Sequence, residues 1–558
     1  MKVRTGLRYR KKRLQQSISQ QPIDHIVIGS GIGGLTTAAL LSRLGRKVIV
    51  LEQHYTAGGF THSFEQDGFE WDVGVHYIGQ VGNKFSTVGM LFNLISEGRL
   101  KWDSMGEFYD EFIVNGVSYK PPVGARAYKR YLKEQFPYEG KAIDQYCAYM
   151  QRVELWLPFI FSNRVSNKSW FQKATSVLNK LLPDVYLKTT SQVLDGLTDN
   201  ATLKAVITGQ WGDCGLPAGQ SAFLIHCLIA HHYIDGAWYP RGGSAEIART
   251  IIPTIQKSGG EVFTYADVQE ILLDEDEKGH SCAVGVRLAD GESIYCNSVI
   301  SACGYAVTKQ LLPAENSPAI YQQAKDQNVD ASACHLALYV GMEGSPQELQ
   351  LPVHNLWLQQ TTNATASLAE FEENPDKPFP FVYLSCASAR DSSWSERFPG
   401  KSTLELVAVV PKSVFEPWQG TPWGKRGDEY LALKQKWTNR LLDVLYKELP
   451  QLKGKVKVAE LSTPLSTEYF MRYNDGEIYG LSHTPERFKQ DWLRPESDIK
   501  GLYMSGQDVL TAGVAGAAMS GVLTSTLVVG KSVYDFKKLG KHWLQQDQNG
   551  TYKFPILK

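Results

Sequence analysis

The chain has no Cys-x-x-Cys pair. Its eight cysteines, Cys147, Cys214, Cys227, Cys282, Cys296, Cys303, Cys334 and Cys386, stand singly. That excludes a zinc ribbon or a dithiol redox motif and fits small core residues in a reducing compartment. No metal site is expected. An excess of one charge is lacking too, because 58 basic side chains balance 58 acidic ones, so nucleic acid is excluded as the main partner. There are no internal repeats and no low-complexity tract beyond Gln15 to Gln21. No apolar run follows the first residues, so no signal peptide is read and the expected location is cytoplasmic. One apolar stretch, Ala512 to Val529, could be mistaken for a membrane span. It is rich in Gly, Ala, Ser and Thr, which suits a buried helix packed closely on a ligand better than a lipid-facing one.

What is present is a globular composition, 43% hydrophobic and 21% charged, over 558 residues. That is enough for a large core and two domains. The start of the chain departs from neutrality: Lys2, Arg4, Arg8, Arg10, Lys11, Lys12 and Arg13 have no acid among them. A solvated tail is the plain reading. Contact with anionic lipid, at about 1 kcal/mol per basic residue near the surface, is the sharper one.

The strongest motif is Gly29-Ser30-Gly31-Ile32-Gly33-Gly34. The apolar run Ile26 to Ile28 reads as a buried strand before it, Leu35 to Leu44 as a helix after it, and Val48 to Leu51 as a second strand that ends at Glu52. This is a βαβ unit for a dinucleotide. Gly29 permits the turn, Gly31 lets a pyrophosphate approach the backbone, and Gly34 lets helix and strand pack closely. The pyrophosphate would rest on the helix N-terminus, with Glu52 on the ribose hydroxyls.

Further along, Ala245 to Lys257 reads as a helix, and Glu261 to Phe263, Val268 to Leu273, Ala283 to Leu288 and Ser298 to Ala302 read as strands. Leu336 to Val340, Phe381 to Ser385 and Leu404 to Val409 suggest a second sheet, and Glu429 to Glu448 an amphipathic helix. The expected fold class is α/β: a discontinuous Rossmann-like dinucleotide domain (22–90, 225–310 and 495–535) with an inserted α+β domain for substrate (91–224 and 311–494). A basic tail (1–21) and a C-terminal tail (536–558) flank them.

Near the end, Met504-Ser505-Gly506-Gln507-Asp508 closes a strand, and Gly513-Val514-Ala515-Gly516 opens a helix. This is a second anion and dipole site. NAD needs one helix N-terminus for its pyrophosphate, whereas an extended FAD can use another near its ribityl chain and ring. Asp508 would hold a ribityl hydroxyl, and the amides of Val514 and Ala515 would face the flavin.

Several stretches then carry a resemblance: VIGSGIGGLTTAALLSRLGRKVIVLEQHYTAGG, DVGVHYIG, GAWYPRGGSAEIARTI, TPLSTEYF with GEIYGLSHTPERF, and GLYMSGQDVLTAGVAGAAMSG. In this order, from Ile23 to about Gly530, the chain resembles the retinol saturase branch of the FAD-dependent carotenoid desaturase and isomerase superfamily. The resemblance implies FAD contacts at Gly29, Gly31, Gly33, Gly34, Glu52, Gly59, Val268 and Asp508. It implies saturation of a C=C bond in a polyene lipid, that is a retinoid, a carotenoid or a polyunsaturated acyl chain. Carotenoid desaturation and cis–trans isomerisation are the alternatives on the same scaffold. A lipid-binding protein with a structural dinucleotide is the non-enzymatic one.

Flavin would supply the hydride chemistry, and the protein the orientation and electrostatics. Proton-donor candidates are His76, Tyr77, His231, His232, Tyr239 and Tyr479, with Arg241 near the flavin or a substrate head group. Because no second GxGxxG stands out, NAD(P)H would act only as a transient external donor. Trp156 to Phe161 with Lys168, Trp170, Phe171, Lys173 and Lys180 mixes large apolar residues with cations, the composition of a patch that rests on a membrane surface.

Overall fold

The computed structural model describes residues 5–19, 21–160, 183–313, 329–530 and 538. Its centre is a six-stranded parallel sheet. The strands are ordered Leu7–Arg8, Glu261–Thr264, Val48–Leu51, His25–Ile28, Ser298–Ser301 and Leu502–Met504. The inner strands HIVI, VIVL and SVIS are buried at every position, as continuous apolar runs in a parallel sheet covered on both faces must be. Helices Ile32–Arg43, Ala245–Gln256 and Gly513–Val529 share a core on one face. The antiparallel strands Val268–Glu275, Ser281–Leu288 and Ser293–Tyr295 contribute to the core on the other.

Helix Gly513–Val529 is buried as its small residues predict. A Cβ on Gly521 would stand 2.8 Å from the carbonyl oxygen of Gly33, so only glycine allows the two Rossmann helices this approach. Among the described residues no helix is long and apolar enough to cross a membrane.

The N-terminal segment corrects the reading of a free basic tail. Leu7–Arg8 extends the parallel sheet at its edge, paired with Phe263 and Thr264. Helix Lys11–Ile18 buries Leu14 completely, and Leu7, Tyr9 and Ile18 pack against the same core. The apolar residues spaced between the cations decide the outcome, and Arg8, Arg10, Lys11, Lys12 and Arg13 turn outward. Lys11 pairs with Glu292 at 2.5 Å, and Arg8 lies over the Tyr265 ring.

The second domain is built on a mixed seven-stranded sheet. Its order is Val456–Ser462, His335–Glu343, Lys401–Val409, Phe381–Ser385, Asn355–Gln359, Asp110–Val114 and Val117–Tyr119. Period-two alternation divides its faces. Leu356, Leu358, Val382, Leu384, Leu406 and Ala408 face a core shared with helix Gly427–Glu448. Trp357, Phe381, Tyr383, Val407 and Val409 face a helical layer that includes Gly140–Ile160 and Phe223–Tyr233.

Packing shifts two of the expected boundaries. Leu91, Leu94 and Ile95 of helix Thr87–Ser96 belong to the Rossmann core, beyond residue 90. Ile225, Cys227 and Tyr233 belong to the helical layer, so the dinucleotide domain resumes nearer Ala245 than 225. Of the expected membrane patch, Trp156 is half-buried against the helical core. Phe161, Lys168, Trp170, Phe171, Lys173 and Lys180 lie outside the described residues, as does the tail beyond Lys538.

Candidate functional site

The carboxyl ends of the parallel strands open on a cavity of about 230 Å³. Ile28 and Gly29 stand at the end of one strand, Leu51 and Glu52 at the end of the next, and Ala266 to Val268, Ala302 to Gly304, and Gly506 and Gln507 come after three more; all line the cavity. From His25–Ile28 the chain adds Val48–Leu51 on one side and only later Ser298–Ser301 on the other. The crevice between the ends of His25–Ile28 and Ser298–Ser301 is the switch point where open α/β sheets bind ligands.

The glycine loop is shaped for a bound group and is not merely tight. Gly29 has φ +91°, which an L side chain resists. A Cβ on Gly34 would meet the Gly29 carbonyl oxygen at 2.2 Å, and one on Gly33 would meet the Gly506 Cα at 2.7 Å, so both glycines are required by packing. Gly31 is different: φ is −60°, and a Cβ there would meet nothing within 4 Å. Its open side is the cavity at the N-terminus of helix Ile32–Arg43, where amides and dipole favour an anion. Gly59 presses on Gly31, its would-be Cβ 2.9 Å from the Gly31 Cα.

Glu52 lines the cavity and also clamps the loop. Its Oε2 accepts from the Ser30 amide at 2.9 Å and the Ser30 hydroxyl at 2.7 Å, and its Oε1 accepts from the His54 amide at 2.8 Å. Val268 stands in the wall beside Asp267, whose carboxylate accepts from Arg472 Nη2 at 2.6 Å. At the far helix Gly513 and Val514 line the cavity, while half-buried Ala515 does not. The cavity therefore runs past two helix N-termini, the arrangement that the extended FAD demands and a lone nicotinamide dinucleotide does not.

Asp508 is placed differently from expectation. It is buried and is not part of the cavity wall. Its Oδ1 accepts from the Leu481 amide and its Oδ2 from the Tyr305 amide, both at 3.0 Å. Both oxygens serve the backbone, so the residue ties two loops together behind Gly506 and Gln507.

Of the proton-donor candidates, His76 and Tyr479 reach the cavity wall. His76 Nδ1 lies 2.9 Å from Glu405 Oε2, a close contact whose angles fall short of a hydrogen bond. Burial pushes the Glu405 carboxyl up, and His76 pulls it back. Tyr479 is pinned, its hydroxyl donating to the Gly212 carbonyl at 3.0 Å.

Tyr77 sits behind the wall and donates to Asp213 Oδ2 at 2.8 Å. Tyr239 is buried and donates to Asp72, which the Ser244 amide and hydroxyl also reach, at 3.0 and 2.7 Å. Arg241 is exposed and forks onto Asp103 at 2.7 and 2.9 Å. The geometry thus gives Tyr239 and Arg241 structural partners and no place in the cavity. His231 faces Glu154 at 3.7 Å, and His232 Nε2 accepts from the Gly79 amide at 2.8 Å. Burial holds the His232 ring down to about 4, hence neutral.

The cavity contains residues that no motif announced. The sheet of the second domain contributes His335, Trp357, Phe381, Tyr383 and Val407, and the loop before helix Phe223–Tyr233 contributes Gly212 and Asp213. Burial, then the nearby Asp110 charge, pushes the Asp213 carboxyl up to about 8 against the Tyr77 hydrogen bond. The one available sequence signal was an acid inside Trp211-Gly212-Asp213-Cys214, between apolar segments.

The family described as flavin containing amine oxidoreductase matches residues 32–529. The all-trans-retinol 13,14-reductase of Danio rerio is 34% identical over 536 residues, 91% of this chain and 86% of that protein. A second Danio rerio protein, named inactive all-trans-retinol 13,14-reductase, is 31% identical over 92% of this chain and 86% of its own. The chloroplastic prolycopene isomerase of Arabidopsis thaliana is 26% identical over 90% and 81%. Among solved structures, putrescine oxidase bound to putrescine aligns over 92% of this chain and 100% of its own, with TM-score 0.59 at 16% identity.

Proposed function

The chain belongs to the flavin containing amine oxidoreductase family, and on that premise we propose that it is an FAD-dependent enzyme that saturates a C=C bond of a polyene lipid, a retinoid foremost. One observation carries the reading: a single cavity joins a dinucleotide cradle to an aromatic wall. Gly29, Gly31, Gly33, Glu52, Gly59, Val268 and Val514 lie toward one side, and Trp357, Phe381 and Tyr383 toward the other. An apolar wall of this kind excludes water and takes a flat conjugated chain by dispersion and ring contact.

In this reading the glycine loop holds the pyrophosphate and Glu52 the ribose. Val268 flanks the adenine, and the amides at Gly513 and Val514 meet the ribityl and ring end. Bound FAD supplies hydride transfer. The protein's own part is to lay the polyene against the ring, keep water out and place a proton. His76, oriented by Glu405 through Nδ1, keeps its Nε2 for a ligand atom in the cavity. Reducing equivalents come from an external donor, NAD(P)H in our reading, because the sequence holds no second glycine fingerprint. Substrate is drawn from a membrane surface, since polyenes of this class partition into lipid.

Saturation is favoured over isomerisation because identity is higher to the retinol reductase than to the prolycopene isomerase. The relative named inactive shows that activity has to be measured. Chemically reduced holoprotein, incubated anaerobically with all-trans-retinol and with prolycopene, decides by product mass. A gain of two hydrogens means saturation, and an unchanged mass with a shifted retention time means isomerisation.

A further inference from the structure

Three acids stand in the cavity wall: Asp267 pairs with Arg472, Glu52 accepts from the Ser30 and His54 amides, and Asp213, in none of the ion pairs among the described residues, accepts from the Tyr77 phenol. The Asp213 backbone is fixed at the aromatic end. A Cβ on the preceding Gly212 would meet Trp357 and Phe381 at 2.8 Å, and the Tyr479 hydroxyl holds the Gly212 carbonyl. Its side chain is fixed by Tyr77, whose ring stacks on Tyr233 with centroids 4.2 Å apart. The Gln210 amide reaches both the Tyr77 hydroxyl, at 3.4 Å, and Asp110 Oδ2, at 2.7 Å. Asn355 Nδ2 holds Asp110 Oδ1 at 2.8 Å. A polar chain therefore runs from the cavity through half-buried Asp213, buried Tyr77 and half-buried Gln210 to buried Asp110.

We propose that Asp213 is the catalytic acid of this site, giving its proton to the substrate carbon beside the one that receives hydride, with Tyr77, Gln210 and Asp110 as positioning residues. The proposal rests on the saturase reading above. The Asp213 O–H bond breaks and a C–H bond forms with the π pair of the C=C. Bound reduced flavin would supply the hydride for the second C–H bond and with it the two electrons the polyene gains. Asp213 is left as a carboxylate that accepts the Tyr77 hydrogen bond, and water restores its proton after product leaves.

The surroundings suit this cycle. The groups that face Asp213 are the Asp110 carboxylate, the phenols of Tyr77, Tyr109, Tyr233, Tyr383 and Tyr479, and the Cys214 thiol. The guanidinium of Arg390 acts on Asp110 and Tyr383. Burial pushes all five phenols well up and the thiol up to about 12, so none of them is as ready an acid. With Asp213 near 8, the acid is protonated at neutral pH and matched to it.

The test compares wild type with Asp213→Asn, Asp213→Glu and Asp110→Asn. Isotope-edited infrared spectra of flavin-loaded protein without substrate should show a protonated-carboxyl stretch that titrates away near pH 8. It should be missing in Asp213→Asn and titrate at lower pH in Asp110→Asn, where one repelling charge is gone. With polyene, kcat of wild type should fall above about pH 8. Asp213→Asn should lose roughly 10²- to 10⁴-fold in kcat at full flavin content, and Asp213→Glu should regain part of it. Absence of the titrating stretch from wild type overturns the proposal. So does an Asp213→Asn variant with wild-type kcat and an unchanged alkaline limb, and in that case the saturase reading stands. A wild-type protein that reduces no polyene overturns the saturase reading itself, and the catalytic role of Asp213 with it.

Discussion

At the level of single residues, the glycines of the loop separate folding from binding. Gly31 faces the cavity with a backbone that any residue can adopt. Gly31→Val should therefore fold with a near-native thermal midpoint yet purify colourless, because the side chain stands where a pyrophosphate would. Gly34 faces the Gly29 carbonyl, so Gly34→Ala should cost about 1–3 kcal/mol or more through overpacking, read as a drop in the urea midpoint. Gly31→Val carrying full flavin absorbance would contradict this assignment. Asp508 makes the opposite case. Its carboxylate satisfies two backbone amides, so Asp508→Ala leaves them unpaired at about 1–3 kcal/mol. It should lower stability and flavin content together, and not flavin content alone.

At the level of elements, periodicity was readable wherever burial imposed it. The strand–glycine–helix–strand unit, the strands at Phe381–Ser385 and Lys401–Val409 and the helix Gly427–Glu448 follow from apolar spacing. The helix after the glycine loop starts at Ile32, three residues before the expected Leu35, because Gly33 and Gly34 form part of its first turn. Site residues on irregular backbone left no such trace. Asp213 ends a single turn of 3-10 helix, Trp211–Asp213, and Arg472 sits in the left-handed region. Their partners are far away in sequence, so only the folded chain brings them together. Tyr239 and Arg241 misled for the related reason that Asp72 and Asp103 lie well over a hundred residues earlier.

The N-terminal helix shows that charge can mask packing, since seven cations concealed a buried leucine. Leu14→Ala should cost about 2–5 kcal/mol, measured by urea unfolding. A solvated tail would show no change.

For the whole molecule, buried titratable groups set how stability depends on pH. Burial holds His25, His54, His62, His226, His232 and His335 down to about 4. Each stays neutral when folded and takes a proton on unfolding between about pH 4 and 6.5, so these six make stability fall as pH falls through that window. Four carboxyls act in the other direction. Burial pushes Asp110 up to about 6, Glu70 and Glu477 to about 7 and Asp213 to about 8. They stay protonated in the fold and ionise on unfolding, so their contribution is complete below their ordinary range near 4 and is lost as pH rises through 6 to 8. Near pH 5 six protons gained against four released leaves a net uptake of two, and Glu405, raised in the same direction, trims it further. Each net proton is worth about 1.4 kcal/mol per pH unit. Stability of the flavin-free protein should therefore climb from pH 4, peak near about pH 6, and decline toward pH 8 and beyond. Urea unfolding at half-unit steps from pH 4 to 9 measures the curve. A stability that kept rising through pH 9 would show that these four carboxyls, Asp213 among them, are ionised in the fold, and would remove the neutral acid on which proton delivery depends.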